Sequence, residues 1–98
     1  MTRRETIRRL TRNRGKLAAF HVRRLSLFGS TARDEAHEHS DVDLLVEFDP
    51  EVPVGLFTFV GLQRFLGDVL GTRIDLATPD ALRPEMREQI LGEAVKVL

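Results

Sequence analysis

The sequence predicts a small α/β fold with a mixed sheet, and three observations carry that prediction. Two runs rich in apolar and β-branched residues, Leu25-Ser26-Leu27-Phe28 and Val42-Asp43-Leu44-Leu45-Val46, have the composition of strands. A third such run, Arg73–Ala77, follows a long apolar segment, Val54–Leu70, that reads as a helix. Helical patterns at both ends complete the order αβαβαβα, and alternation of this kind builds a small sheet flanked by helices.

Thr2 can cap a first helix, Arg3–Phe20, in which Ile7, Leu10, Leu17 and Ala18 recur at helical spacing. Gly15 weakens it by about 1 kcal/mol relative to Ala. His21 stands at the bend into the first strand, Val22–Phe28, and if that bend needs a positive φ, His is a costlier occupant than Gly. Gly29-Ser30 then opens a short helix, Thr31–Ala36, and an acidic loop delivers the chain to the second strand, Asp41–Glu47, which Pro50 and Pro53 end. In Val54–Leu70 the apolar residues wrap too far round for one buried stripe. The segment is either central to the core or in part a contact with another chain, a second copy included. After the third strand Asp80 can cap a turn, and Pro84 suits the first turn of a closing helix with Met86, Ile90, Leu91, Ala94 and Val97 inward.

Ninety-eight residues suffice for a single domain, 1–98, around one core. The chain has no Cys, which excludes a disulfide framework and a thiolate metal site, and no apolar run approaches the roughly 18–20 residues of a membrane span. The Arg-rich start lacks an apolar signal core, so cytoplasmic residence is expected. The zero net charge conceals segregation: residues 1–24 hold nine Lys/Arg against Glu5 alone, whereas residues 34–51 hold eight acids and no Lys or Arg. The basic start fits a nucleic acid, an acidic partner or, most simply, a solvated helix face. Overall neutrality argues against generic nucleic-acid binding, which depends on phosphate neutralisation.

The chemistry concentrates where Gly29-Ser30 precedes Asp41-Val42-Asp43 by ten residues. On a strand Asp41 and Asp43 share a face, with Cα atoms about 6.5–7 Å apart. That separation suits carboxylates bridging two divalent cations about 3.5–4 Å apart. Two like charges repel by about 4 kcal/mol at 4 Å with an effective dielectric near 20, a cost that bound Mg²⁺ reverses. Gly29 lets the backbone approach a phosphate and Ser30 adds a hydroxyl donor at a helix start, so the spacing reads as a phosphoryl-transfer site. Asp75, between Ile74 and Leu76, lies in an otherwise apolar strand where an unpaired charge is expensive. Arg73 cannot answer it, because strand neighbours face opposite ways, and joining the carboxylate cluster explains it better. Arg33, one helical turn past Ser30, either neutralises a triphosphate or salt-bridges the acidic loop. His37 and His39 flank Glu38 and suggest zinc, yet two loop histidines are more often solvated, and the aspartates' hard oxygen donors suit Mg²⁺.

Residues 29–48, GSTARDEAHEHSDVDLLVEF, resemble the signature of the DNA polymerase β-like nucleotidyltransferase superfamily, specifically its minimal single-domain prokaryotic members. Gly71-Thr72-Arg73-Ile74-Asp75-Leu76 is similar to that family's third-carboxylate segment, and Thr78 to Pro84 with the final helix up to Val95 resembles its ending. The family usually has Gly where this chain has His21. The resemblance implies transfer of AMP from ATP to a protein hydroxyl, with two Mg²⁺ ions, Mn²⁺ as an alternative, held by Asp41, Asp43 and Asp75. It further implies that Gly29 and Ser30, with Arg33 as a candidate third group, bind the nucleotide, and that Asp75 helps deprotonate the hydroxyl. By the same resemblance the chain is an antitoxin that adenylylates a HEPN-type ribonuclease toxin. Two other readings stand beside it: a non-catalytic module that occludes the toxin, and a small-molecule nucleotidyltransferase, disfavoured because the length leaves no room for a second substrate-binding domain.

Overall fold

The computed structural model describes residues 1–37 and 40–98, and its centre is an antiparallel pair of strands, β1 (Val22–Phe28) and β2 (Val42–Phe48). Strand β3 (Ile74–Ala77) runs parallel to β2, and a two-residue strand β4 (Val95–Lys96) runs antiparallel to β1, giving the order β3-β2-β1-β4. The mixed sheet of the sequence reading is present, one strand larger. The helices are α1 (Arg3–Arg12), α2 (Arg14–Ala19), α3 (Gly29–Ala32), α4 (Leu56–Leu70) and α5 (Pro84–Glu93), and a 3-10 turn spans Pro79–Ala81.

Alternation along the strands separates the two faces of the sheet. Leu25 and Leu27 of β1, Val42, Leu44 and Val46 of β2, and Ile74 and Leu76 of β3 join one apolar cluster with Leu10, Leu17, Leu62, Leu66 and Leu70 from the helices. The intervening residues Ser26, Asp43, Leu45 and Asp75 therefore belong to the other face. Side chains 62, 66 and 70 recur every fourth residue of α4 and are all buried, which is the stripe an amphipathic helix turns to its core. Gly71 ends the helix in the left-handed conformation, φ 66°, its N–H bonded to Gly67 O at 2.8 Å.

The two readings of α4, burial within the core and an apolar part left for another chain, divide along its length. Phe65 stacks on Phe20 with ring centroids 5.5 Å apart and Phe59 meets Phe48 at 6.5 Å. The first turn is open instead: Leu56 is 74% exposed, Phe57 95% and Val60 44%.

Several boundaries differ from the sequence reading. The first helix breaks at Asn13, not at Gly15, because the Asn13 side chain donates to Arg9 O at 2.9 Å and its N–H to Leu10 O at 3.0 Å. Such side-chain bonds compete with the helical ladder. Leu10 and Leu17 are both buried across the break, but Ala18 is exposed. Strand β2 starts at Val42, whose N–H bonds Arg73 O at 3.0 Å, and α3 occupies 29–32 where 31–36 was expected. The closing helix stops at Glu93; Val95 and Lys96 pair with Leu27 and Ser26 as β4. Free backbone groups along the outer side of β1 outweigh the local helical pattern, aided by β-branched Val95 and Val97. Met86 and Leu91, expected inward, are each 48% exposed, whereas Ile90 and Val97 are buried.

Candidate active site

Gly29 follows directly from the end of β1, and its φ of 71° lies in the left-handed region that suits glycine. A second constraint acts there. A Cβ built on Gly29 would overlap Asp43 Oδ2 and stand 3.1 Å from Asp43 Cγ. Strand β2 pairs Asp43 with Phe28, the residue before the glycine, so the sheet register presses the carboxyl against the turn. The turn continues as one short helix, with Arg33 N–H on Gly29 O at 3.2 Å and Glu35 N–H on Ser30 O at 2.8 Å.

The parallel register of β2 with β3 sets Asp43 opposite Asp75. Asp41 lies one residue before β2, exposed, and its charge also reaches Asp43. Partial burial, then the Asp75 charge, a hydrogen bond with Asp75 and the Asp41 charge push the Asp43 carboxyl up to about 6, with Arg33 pulling the other way. The expectation that Asp41 and Asp43 project from one strand is thus modified: Asp43 and Asp75 are the cross-strand pair, and Asp41 approaches from the strand entrance. Asp75 is exposed while Ile74 and Leu76 are buried, so the argument from an expensive buried charge does not hold. Its side chain simply belongs to the polar face.

Arg33 is engaged on both sides, Nε donating to Glu35 Oε2 and NH1 to Glu93 Oε1, each at 3.2 Å. Of its two sequence readings the ion pair with the acidic loop is present, through Glu35, and its charge also lies within electrostatic reach of Asp43. The carboxylates of Glu35 and Glu93 raise its pKa. Glu93 escaped sequence reasoning because the contact spans sixty residues of chain. Thr31 also escaped it: the residue is 1% exposed and its Oγ1 has no partner among the described residues.

The three aspartates offer only hard oxygen donors on an open polar face, a set that fits Mg²⁺ or Mn²⁺. Among the described residues no three acidic or histidine side chains already converge on one ion position. His37 is exposed and tied by its backbone to Ser40, its N–H on Ser40 Oγ at 2.8 Å, while Glu38 and His39 of the considered zinc reading lie outside the described residues. A cleft of about 500 Å³ beside His21, Arg23, Asp49 and Glu51 opens at the opposite end of β1 and β2 from the aspartates. No described helix is long and apolar enough to cross a membrane.

A glycine turn closed onto an acidic pair, on a mixed sheet flanked by helices, defines the class as an enzyme that transfers nucleotides. The chain belongs to the nucleotidyltransferase domain family, whose model matches residues 5–97. It is 44% identical over 77 residues to a candidate protein adenylyltransferase of Methanocaldococcus jannaschii, covering 79% of this chain and 81% of that one. It is 42% identical over 78 residues to the protein adenylyltransferase MntA of Thermococcus cleftensis, covering 80% and 77%. Among solved structures, a candidate minimal nucleotidyltransferase superposes with a TM-score of 0.79 at 38% identity, over 97% of this chain and 95% of that one. A complex of tri-AMPylated Shewanella oneidensis HEPN toxin with MNT antitoxin shares the fold, with a TM-score of 0.57 at 16% identity, over 88% and 69%.

Proposed function

We propose that residues 1–98 act as one cytoplasmic nucleotidyltransferase domain that moves AMP from ATP to a hydroxyl of a partner protein, a HEPN-type ribonuclease toxin that it thereby silences. The observation that carries this reading is the in-register Asp43–Asp75 pair set against a glycine turn with no room for a Cβ. Asp41, Asp43 and Asp75 are the residues that would hold two Mg²⁺ ions, which would supply charge neutralisation between these carboxylates and a triphosphate and would lower the cost of ionising the acceptor. Gly29 and Ser30 hold the β- and γ-phosphates by backbone N–H and hydroxyl. Asp75, exposed on its strand, receives the proton of the acceptor hydroxyl. The acceptor oxygen forms its bond to the α-phosphorus as the bond to the bridging oxygen breaks, and pyrophosphate departs in line. Relatives named as protein adenylyltransferases and a fold-sharing complex with an AMPylated toxin support the protein acceptor.

The test is transfer of labelled AMP from ATP to a HEPN-type toxin supplied as the acceptor, with Mg²⁺ and with excess chelator. Label on the partner only with metal is the expected result; transfer at full rate in chelator overturns the metal-assisted route. One observation favours a second reading, neutralisation by contact alone: the open apolar turn of Leu56, Phe57 and Val60 offers a surface for a partner. Toxin of unchanged mass that is nonetheless silenced is the result this reading requires.

A further inference from the structure

Strand β4 does more than extend the sheet. It pairs Val95 with Leu27 and Lys96 with Ser26, and Glu93, the last residue of α5, stands two residues ahead of it and beside the segment that follows Gly29. There Glu93 Oε1 accepts from Arg33 NH1 at 3.2 Å, while Glu35 Oε2 accepts from Nε at 3.2 Å. The Glu93 side chain is 26% exposed and that of Glu35 66%, so Glu93 is the more shielded of the two anchors. A solvated arginine samples many rotamers, but a guanidinium held at two of its donors presents the rest in a fixed fork. NH2 has no partner among the described residues, and the Arg33 backbone stands one turn above Gly29.

We propose that Glu93, at the end of α5 just ahead of β4, is a positioning residue that aims the free edge of Arg33 at the β- and γ-phosphates of a bound nucleoside triphosphate. The inference rests on the nucleotidyltransfer reading and adds to it a residue from the far end of the chain. The two glutamates reduce the net attraction of Arg33 for anions in general, and what they provide is direction. Direction matters for a polyphosphate reaching past the glycine turn and has no purchase on AMP, which ends at the α-phosphate.

Calorimetric titration of the whole chain with ATP and with AMP, both in Mg²⁺, tests this, on wild type, Glu93→Ala, Glu93→Gln, Arg33→Ala and Arg33→Ala/Glu93→Ala. The expected result is an ATP affinity about tenfold weaker for Glu93→Ala and for Arg33→Ala, AMP affinity unchanged, and a double variant no weaker than Arg33→Ala alone. Should Glu93→Ala not fold, the isosteric Glu93→Gln carries the same comparison of ATP with AMP. Equal losses for ATP and AMP, or losses that multiply in the double variant, overturn the positioning role. Wild-type protein that takes up no ATP overturns the nucleotidyltransfer reading and this proposal with it, a failure visible before any variant is compared.

Discussion

Asp43 on β2 and Asp75 on β3 stand at the same level of a parallel strand pair, each carboxyl facing the other's charge. Burial and this neighbour together lift the Asp43 carboxyl from its ordinary 3.8 to about 6. A carboxyl whose folded value is raised binds its proton more tightly in the native state, so the contribution of Asp43 to the stability of metal-free protein is fully present below the unfolded value and is lost as pH rises through about 6. Because Asp43 is half-exposed, solvent screening reduces the effect to the order of 1 kcal/mol. Denaturant titrations at about pH 4.5 and about pH 7.5, on either side of the raised value, should show this decline, and Asp43→Asn should flatten it.

The Asp75 carboxyl is assigned to the acceptor and those of Asp41 and Asp43 to the nucleotide side. Asp75→Asn should therefore abolish AMP transfer while sparing most of the ATP affinity measured in Mg²⁺. A loss of binding as large as that of Asp41→Asn would show the roles to be wrongly divided.

Gly29→Ala should cost about 1–3 kcal/mol and remove nucleotide binding, since the new methyl meets the Asp43 carboxyl and φ stays at 71°. Chemical denaturation measures the first effect. Combining it with Asp43→Ala should recover part of the stability and none of the transfer, because the collision is relieved while the phosphate turn and its carboxylate remain lost.

His21 holds φ 66° at the entrance to β1. Replacing it by Gly should raise stability by about 0.5–1 kcal/mol, a rise of several degrees in Tm for a chain of this size. An unchanged or lower Tm would mean that the side chain contributes contacts offsetting the strain.

Phe57→Ser with Leu56→Ser should change stability by no more than about 0.5 kcal/mol, as expected for surface positions, yet weaken binding of the proposed HEPN-type partner. Pull-down and melting curves on the same preparation separate the two effects. Full retention of the complex would remove this turn from the docking surface.

What the sequence made legible is what depends on near neighbours. Strand β1 has the expected bounds because its apolar run is flanked by a bend at His21 and a turn at Gly29, both local in cause. The positive φ at His21 was foreseeable for the same reason. The grouping of Asp41, Asp43 and Asp75 was legible from spacing and resemblance, although the burial argued for Asp75 was mistaken: β3 has one polar face. The features that were not legible are long-range. Strand β4 exists only because β1 has an edge to fill, and the Arg33–Glu93 bond joins helices that no periodicity links. Asn13 ends α1 through a bond to Arg9, a local cause that the Gly15 argument displaced.

Strand β3 is an outermost strand of the sheet, and Asp75 is exposed upon it next to an exposed Arg73. Charges on such a rim discourage another chain from adding itself by main-chain pairing. The group assigned to catalysis therefore also lies on the rim where such pairing would begin, and a change of charge sign there separates the two roles. An Asp75→Val chain should be inactive and should, in addition, grow larger with concentration in light scattering, whereas Asp75→Lys should be inactive and stay dispersed.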